Sequence, residues 1–264
     1  MPCFICVQCG IQYPPSNEPP AHCPICEDVR QYVRWEGQAW TTLDEMRSKY
    51  KARLEIDHDL LGIGMAPSFA IGQRALLVPD KAGNILWDCI AMIDDEIVDR
   101  IKAAGGLAAI AISHCHYYTT MVEWSDAFGG VPIYLHANNR KWVQRESKAI
   151  VYWDGEEHAV SPSAKLHRVP GHFSGGAALH WSEGKGALFT GDVLQVTQDR
   201  KFVSFMYSYP NYIPVNAATV RQIAEIVEPL AFDRIFGAFG QRVIANDAKA
   251  AVRASVERYL KAIA

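Results

Sequence analysis

The sequence has no basic excess, no long apolar run, no low-complexity tract and no repeat of fixed period. Each absence removes a class of function. A formal net charge of -3 offers no broad attraction to nucleic acid. No basic run or basic amphipathic helix points to a membrane surface. The apolar stretch Gly106–Ile112 falls far short of the roughly 18 residues a membrane span requires. Met1-Pro2-Cys3-Phe4 lacks the charged and then apolar order of a secretory signal. The expectation is a cytoplasmic protein with neither nucleic acid nor membrane as a partner. What is present, 49% hydrophobic and 21% charged residues, suits a folded chain with a sizeable core. At about 150 residues per domain, the 264 residues allow one large domain or two smaller ones.

Cysteine is used unevenly. Five of the seven cysteines fall within residues 1–40, and four form the pairs Cys6-x-x-Cys9 and Cys23-x-x-Cys26. In a reducing compartment such pairs read as metal ligands before disulfides. Two tight turns can place four thiolates around one tetrahedral ion; Gly10 relaxes the first turn and Pro24 stiffens the second. A segment this short, with the loop Pro14–Pro20, buries too little apolar surface to fold unaided, so an ion supplies the missing stability. Residues 1–45 are therefore expected to be a small four-cysteine metal-binding module, with Cys3 close enough for a shifted pairing and His22 an exposed loop residue. Cys6–Tyr13 followed by Cys23-Pro24-Ile25-Cys26 resembles the rubredoxin-like modules and equally a zinc ribbon. The first implies iron carrying one electron, the second structural zinc; zinc is the expectation, with iron open.

From residue 46 onward strands and helices alternate. Strands are expected at Phe69–Ile71, Arg74–Val78, Asn84–Asp88, Leu107–Ile112, Val131–Leu135, Leu166–Val169, Ala177–Trp181, Ala187–Thr190 and Arg234–Phe236. Helices are expected over Asp94–Ala104, Thr119–Phe128, Asn138–Arg145, Val215–Val227 and Asp247–Ile263. This order predicts an α/β layered domain over 46–264 with helices on its outer faces.

The apolar run Ala108–Ile112 ends at Ser113-His114-Cys115-His116. In extended chain His114 and His116 face the same side and Cys115 the other. Pro170-Gly171-His172-Phe173-Ser174-Gly175-Gly176 adds an imidazole, and Leu188-Phe189-Thr190-Gly191-Asp192 adds a carboxylate. Three imidazoles and one carboxylate suit zinc or iron. These motifs, in this order, resemble the metallo-β-lactamase superfamily over about residues 66–245. The resemblance implies a four-layer αβ/βα sandwich with metal in a cleft at the edge of two facing sheets, and hydrolysis as the commonest activity. It also shows what has changed. Against the family's His-x-His-x-Asp-His, Tyr118 holds the aspartate position and Thr119 that of the third histidine, and no histidine follows His180. His114, His116 and His172 match the first metal position and Asp192 the bridging carboxylate; the second position has lost its own ligands.

The expected site is thus mononuclear, one zinc or iron held by His114, His116, His172 and Asp192, with Tyr118 placed to donate to an oxyanion or ligate as an anion. The expected function is metal-dependent hydrolysis of a small-molecule ester or amide of unspecified identity. Two rivals stay open: a binding or assembly protein that keeps the fold, and an iron-dependent electron-transfer protein. A homo-oligomer is open too. His136, Cys89 and Cys115 read as structural, His58 as a solvated loop residue. Phe202, Phe205, Tyr207, Tyr209 and Tyr212 read as lid or core, or else as a pocket wall or dimer surface.

Overall fold

Alternation along the strands sorts the apolar residues onto two faces, and that sorting builds four layers. A computed structural model describes residues 1–264. A seven-stranded sheet runs, edge to edge, through Ile150–Trp153, Ile133–His136, Leu107–Ala111, Asn84–Trp87, Ala75–Val78, Leu60–Ala66 and Lys51–Asp57. A six-stranded sheet runs through Glu157–Ala159, Ala164–Arg168, Ala177–Trp181, Ala187–Gly191, Arg234–Gly237 and Val243–Ile244. Leu76, Val78, Ile85, Trp87, Ala109 and Ala111 of the first sheet meet Leu166, Leu179, Phe189 and Phe236 of the second in one central core. The residues between them on each strand turn outward. Leu77, Leu86 and Ile110 join Ile97, Ile101 and Trp124 of the helices Asp95–Ala103 and Met121–Ala127. Ala178, Leu188 and Ile235 join Val220, Ile223 and Val252 of Ala217–Val227 and Ala248–Ala262. Each such Leu, Ile or Phe contributes about 1.5–3 kcal/mol when removed from water. No helix is long and apolar enough to cross a membrane.

The cysteine segment is a separate three-stranded sheet, Gln12–Pro15, Cys3–Cys6 and Trp40–Thr41, yet its core is not separate. Ile5, Ile11, Ile25 and the four paired cysteines belong to the same apolar cluster as the outer face of the large sheet. Polar contacts fasten the seam. Gln12 donates to Glu123 Oε1 at 2.8 Å, and Arg145 pairs with both Gln12 and Glu123. The division expected at 45/46 falls inside the helix Leu43–Arg47, whose Thr42 and Glu45 form a capping box.

Most of the expected elements appear within a few residues of their expected ends; two differences have physical causes, and one hairpin was not expected. Phe69–Ile71 is not a strand, because Ala70 and Gly72 both take positive φ and turn the chain. Asn138–Arg145 is only the short 3-10 segment Ala137–Trp142, started by the His136 ring accepting from the Asn138 amide at 3.1 Å. The hairpin Lys51–Asp57/Leu60–Ala66 lies outside the expected strands, although Lys51-Ala52-Arg53-Leu54-Glu55-Ile56-Asp57 alternates strictly. The strands Asn84–Trp87 and Leu107–Ala111 run parallel, as do Ala187–Gly191 and Arg234–Gly237. Asp88, His114 and Asp192 all follow the carboxyl ends of these strands, where open sheets present their functional groups.

Candidate metal centres

Cys6, Cys9, Cys23 and Cys26 are all buried and converge. The sulfurs of Cys6 and Cys26 lie 3.6 Å apart, as do those of Cys9 and Cys23. Four sulfurs at 2.3 Å from one ion would be spaced by roughly 3.8 Å, so the cluster has the dimensions of a tetrahedral sulfur site. Gln38 Nε2 donates to the Cys6 sulfur at 3.0 Å. Burial raises the Cys9 thiol well above its ordinary range, and a cation is what makes thiolates tolerable there. Cys3 stays outside the cluster, and the exposed His22 pairs with Glu27.

The second cluster gathers His114, His116, His172 and Asp192, with one ligand atom from each lying within 4.8 Å of all the others. His114 Nε2 is 3.2 Å from His116 Nδ1, His172 Nε2 is 3.4 Å from the same atom, and Asp192 Oδ2 is 3.5 Å from His114 Nε2. Nitrogen and oxygen ligands at 2.0–2.1 Å around a tetrahedral ion would be about 3.4 Å apart, so the residues present fit one ion. Two of the three outer nitrogens are oriented, while His116 Nε2 is buried with no partner. His172 Nδ1 donates to the Tyr207 carbonyl at 3.0 Å, which leaves Nε2 a lone pair. His114 Nδ1 meets Ser113 Oγ at 2.9 Å, and the Ser113 amide donates to Asp88 Oδ1 at 2.8 Å. Burial, then His114 and His172, hold the His116 imidazole well below its usual range; burial, then His114, pushes His172 down to about 3. Imidazole nitrogens that converge on one point beside a carboxylate are a cation site in waiting.

Asp88, unassigned from sequence beyond its strand, is buried behind this cluster. Burial pushes its carboxyl up to about 8, against the pull of the Ser113 amide and hydroxyl. Gly191 is obligatory beside it. Its φ is +51°, and a Cβ there would stand 2.5 Å from Ser113 Oγ.

Tyr118 is elsewhere. The extended backbone expected through the histidine motif ends at His114, and Cys115–Tyr117 form a 3-10 turn. In that helix residues three apart overlie each other, so Tyr118 stands over Cys115 and turns away with it. Tyr118 is buried and does not line the cavity beside the imidazoles, so the oxyanion or ligand role expected of it has no geometric basis. Thr119, in the position of a lost ligand, packs near Gly10 of the cysteine module. His136 donates to the Gly155 carbonyl, and His58 sits at a hairpin turn beside Asp59.

A cavity of about 90 Å³ opens onto His116, His172 and Asp192, with Gln31, Gln195 and Tyr209 among its walls. Gln31 belongs to the cysteine module. Its neighbour Arg30 donates to the His172 carbonyl at 3.2 Å and lies 3.9 Å over the Phe173 ring. Phe173 in turn stacks on His114. Gln73 Nε2 donates to the Cys9 carbonyl at 2.7 Å and the His116 carbonyl at 3.0 Å, so one side chain joins the two clusters. No local motif announces Arg30, Gln31, Gln73 or Gln195.

No family model matches the sequence. The chain is 48% identical over 270 residues to the uncharacterized protein YmaE of Bacillus subtilis (strain 168), covering 100% of this chain and 97% of that one. Among solved structures, VMB-1 is similar with a TM-score of 0.61 at 14% identity, over 81% of this chain and 99% of that one. The DIM-1 metallo-beta-lactamase is similar with a TM-score of 0.60 at 14% identity, over the same shares. The SMB-1 metallo-beta-lactamase reaches 0.50 at 20% identity, over 77% of this chain and 94% of that one. The protein therefore belongs to the family of YmaE, and its large domain has the metallo-β-lactamase fold with an N-terminal cysteine cluster.

Proposed function

We propose that the protein is a metal-dependent hydrolase with a mononuclear histidine site, its cysteine module holding a structural zinc ion. One observation carries the reading: three imidazoles and a carboxylate are spaced for a single zinc or iron ion beside a cavity. A bound ion would supply Lewis acidity and a more acidic water. The chain supplies the rest. Asp192 Oδ1 is buried with no hydrogen-bond partner in the chain. His172 and Asp192 stand on the cavity wall, while His114 is sealed behind them. Four protein ligands alone would also suit a closed, structural ion; the cavity lined by His116, His172 and Asp192 supports an accessible one.

The test combines metal content with turnover. The purified protein is expected to hold two ions per chain and to hydrolyse a member of a panel of amides, esters, thioesters, lactones and phosphodiesters. His116→Ala is expected to lose one ion and the activity together. Full metal occupancy with no turnover across the panel would refute the enzymatic reading and leave a binding or assembly role. The Gln73 bridge favours one second reading, electron transfer between iron ions at the two sites. Iron at both sites, with a red colour from the cysteine-bound ion, would support it.

A further inference from the structure

We propose that the cysteine module is a working part of the histidine site. Gln73 and Arg30 are positioning residues that couple the two clusters, so that an ion among the four sulfurs tightens metal binding by the three imidazoles. This goes beyond the hydrolytic reading above, because it rests on ions at both clusters and not on any reaction.

The contacts are made at the ligand residues themselves. Gln73 is buried, and its Nε2 carries two N–H groups. It donates to the Cys9 carbonyl at 2.7 Å and the His116 carbonyl at 3.0 Å, the backbone of one ligand residue in each cluster. The approach is close: Gly10 has φ at +80°, and a Cβ there would stand 3.3 Å from Gln73 Nε2. Arg30 serves the other two histidines. It donates to the His172 carbonyl at 3.2 Å and covers Phe173, whose ring stacks on His114. The His172 ring is held from the same side. Its Nδ1 donates to the Tyr207 carbonyl at 3.0 Å, and Oγ of the next residue, Ser208, donates to the Arg30 carbonyl at 3.1 Å. Each of the three histidines is joined to the module through no more than one intervening side chain.

The same contacts lead back to the sulfurs. The Cys9 carbonyl belongs to the turn in which the Gly10 amide donates to the Cys6 carbonyl at 2.8 Å. Arg30 pairs with Asp28, which caps the short helix Pro24–Glu27 that carries Cys26. An ion that gathers the four sulfurs therefore fixes both the Cys9 carbonyl and the root of Arg30. His116 and His172 are then held in their ligating positions before a second ion arrives. Linkage makes the effect mutual: each ion raises the affinity for the other by the same factor.

Cobalt titration of the full-length protein tests this without turnover. Cadmium is colourless and prefers sulfur ligands, so one equivalent fills the cysteine site and cobalt added afterwards reports the histidine site. The double variant Cys6→Ser/Cys26→Ser empties the sulfur site while leaving Cys9 intact. Absence of a thiolate-to-cobalt charge-transfer band confirms in both cases that cobalt sits among the imidazoles. The cadmium-loaded parent is expected to bind cobalt about tenfold or more tightly than the double variant. In a Gln73→Met background, which keeps the bulk and removes both donors, that ratio is expected to fall to about threefold or less. Arg30→Met, as a second variant, is expected to lower it too. Gln12→Ala is the control, since Gln12 fastens the module to Glu123 and Arg145 and reaches no histidine. It is expected to lower stability in urea and leave the ratio unchanged. A ratio near one in the parent would overturn this inference and leave the hydrolytic reading standing. So would a ratio that Gln73→Met and Arg30→Met leave unchanged, or that Gln12→Ala lowers equally. Failure of cobalt to reach the histidine site in the parent would instead overturn the hydrolytic reading and the coupling together.

Discussion

Replacing Gly191 by alanine tests how closely the fold is fitted around the histidine cluster. Gly191 ends the strand Ala187–Gly191 with φ at +51°, and a Cβ there would lie 2.5 Å from Ser113 Oγ and 2.7 Å from Ser113 Cβ. The left-handed backbone disfavours alanine by about 1 kcal/mol. Forcing an extra carbon into packed surroundings adds about 1–3 kcal/mol. The sum, about 2–4 kcal/mol, corresponds to a fall in Tm of roughly 5–15 °C for a chain of this length. Two controls separate the contributions. Gly129 has φ at +84° with open space around its missing Cβ, so Gly129→Ala is expected to lose only about 1 kcal/mol. Gly64 has neither a positive φ nor a neighbour within 4 Å, so Gly64→Ala is expected to be neutral within about 0.5 kcal/mol. Ser113 touches both Asp88 and His114, so its displacement should also weaken the histidine site. Urea unfolding measures the first effect and a cobalt titration the second. A Gly191→Ala protein as stable as Gly129→Ala, with unaltered cobalt affinity, would refute the argument.

Cys9→Ser is expected to remove one ion per chain and loosen the cysteine module, because binding of a structural zinc ion is worth about 10 kcal/mol or more to a small fold. Metal analysis should read one ion fewer and limited proteolysis should cut within residues 10–40; unchanged content and resistance would count against a structural ion there. His167 offers a pH test away from both clusters. Burial first, then His180, push its imidazole down to about 4, so between about pH 6.5 and 4 the unfolded chain binds a proton that the native chain refuses. Stability from this group is present at neutral pH and lost as pH falls through that window, by about 3 kcal/mol at most. His167→Leu should lose about 2 kcal/mol less than the parent between pH 7.5 and 4.5 in urea unfolding; identical pH dependence would exclude His167 as a contributor.

Spacing by itself determined much of this protein. Cys6, Cys9, Cys23 and Cys26 announce a sulfur cluster because each pair closes on a tight turn, a local matter. His114, His116, His172 and Asp192 were legible because each follows a strand, and strand ends are where side chains meet in an α/β sandwich. Leu76–Val78 and Ile85–Trp87 were legible as buried strands because they are apolar throughout, but which of their residues face the central core was not. The tertiary structure decided the rest, because direction and distance across the chain leave no local mark. Whether Tyr118 faces the ion depended on a single 3-10 turn that sequence alternation does not encode. Arg30 meets the His172 carbonyl across 142 positions, and Gln73 meets Cys9 across 64. Only when the cysteine module packs over the cleft does Gln31 become part of the site, since burial against a distant surface is a property of the folded chain.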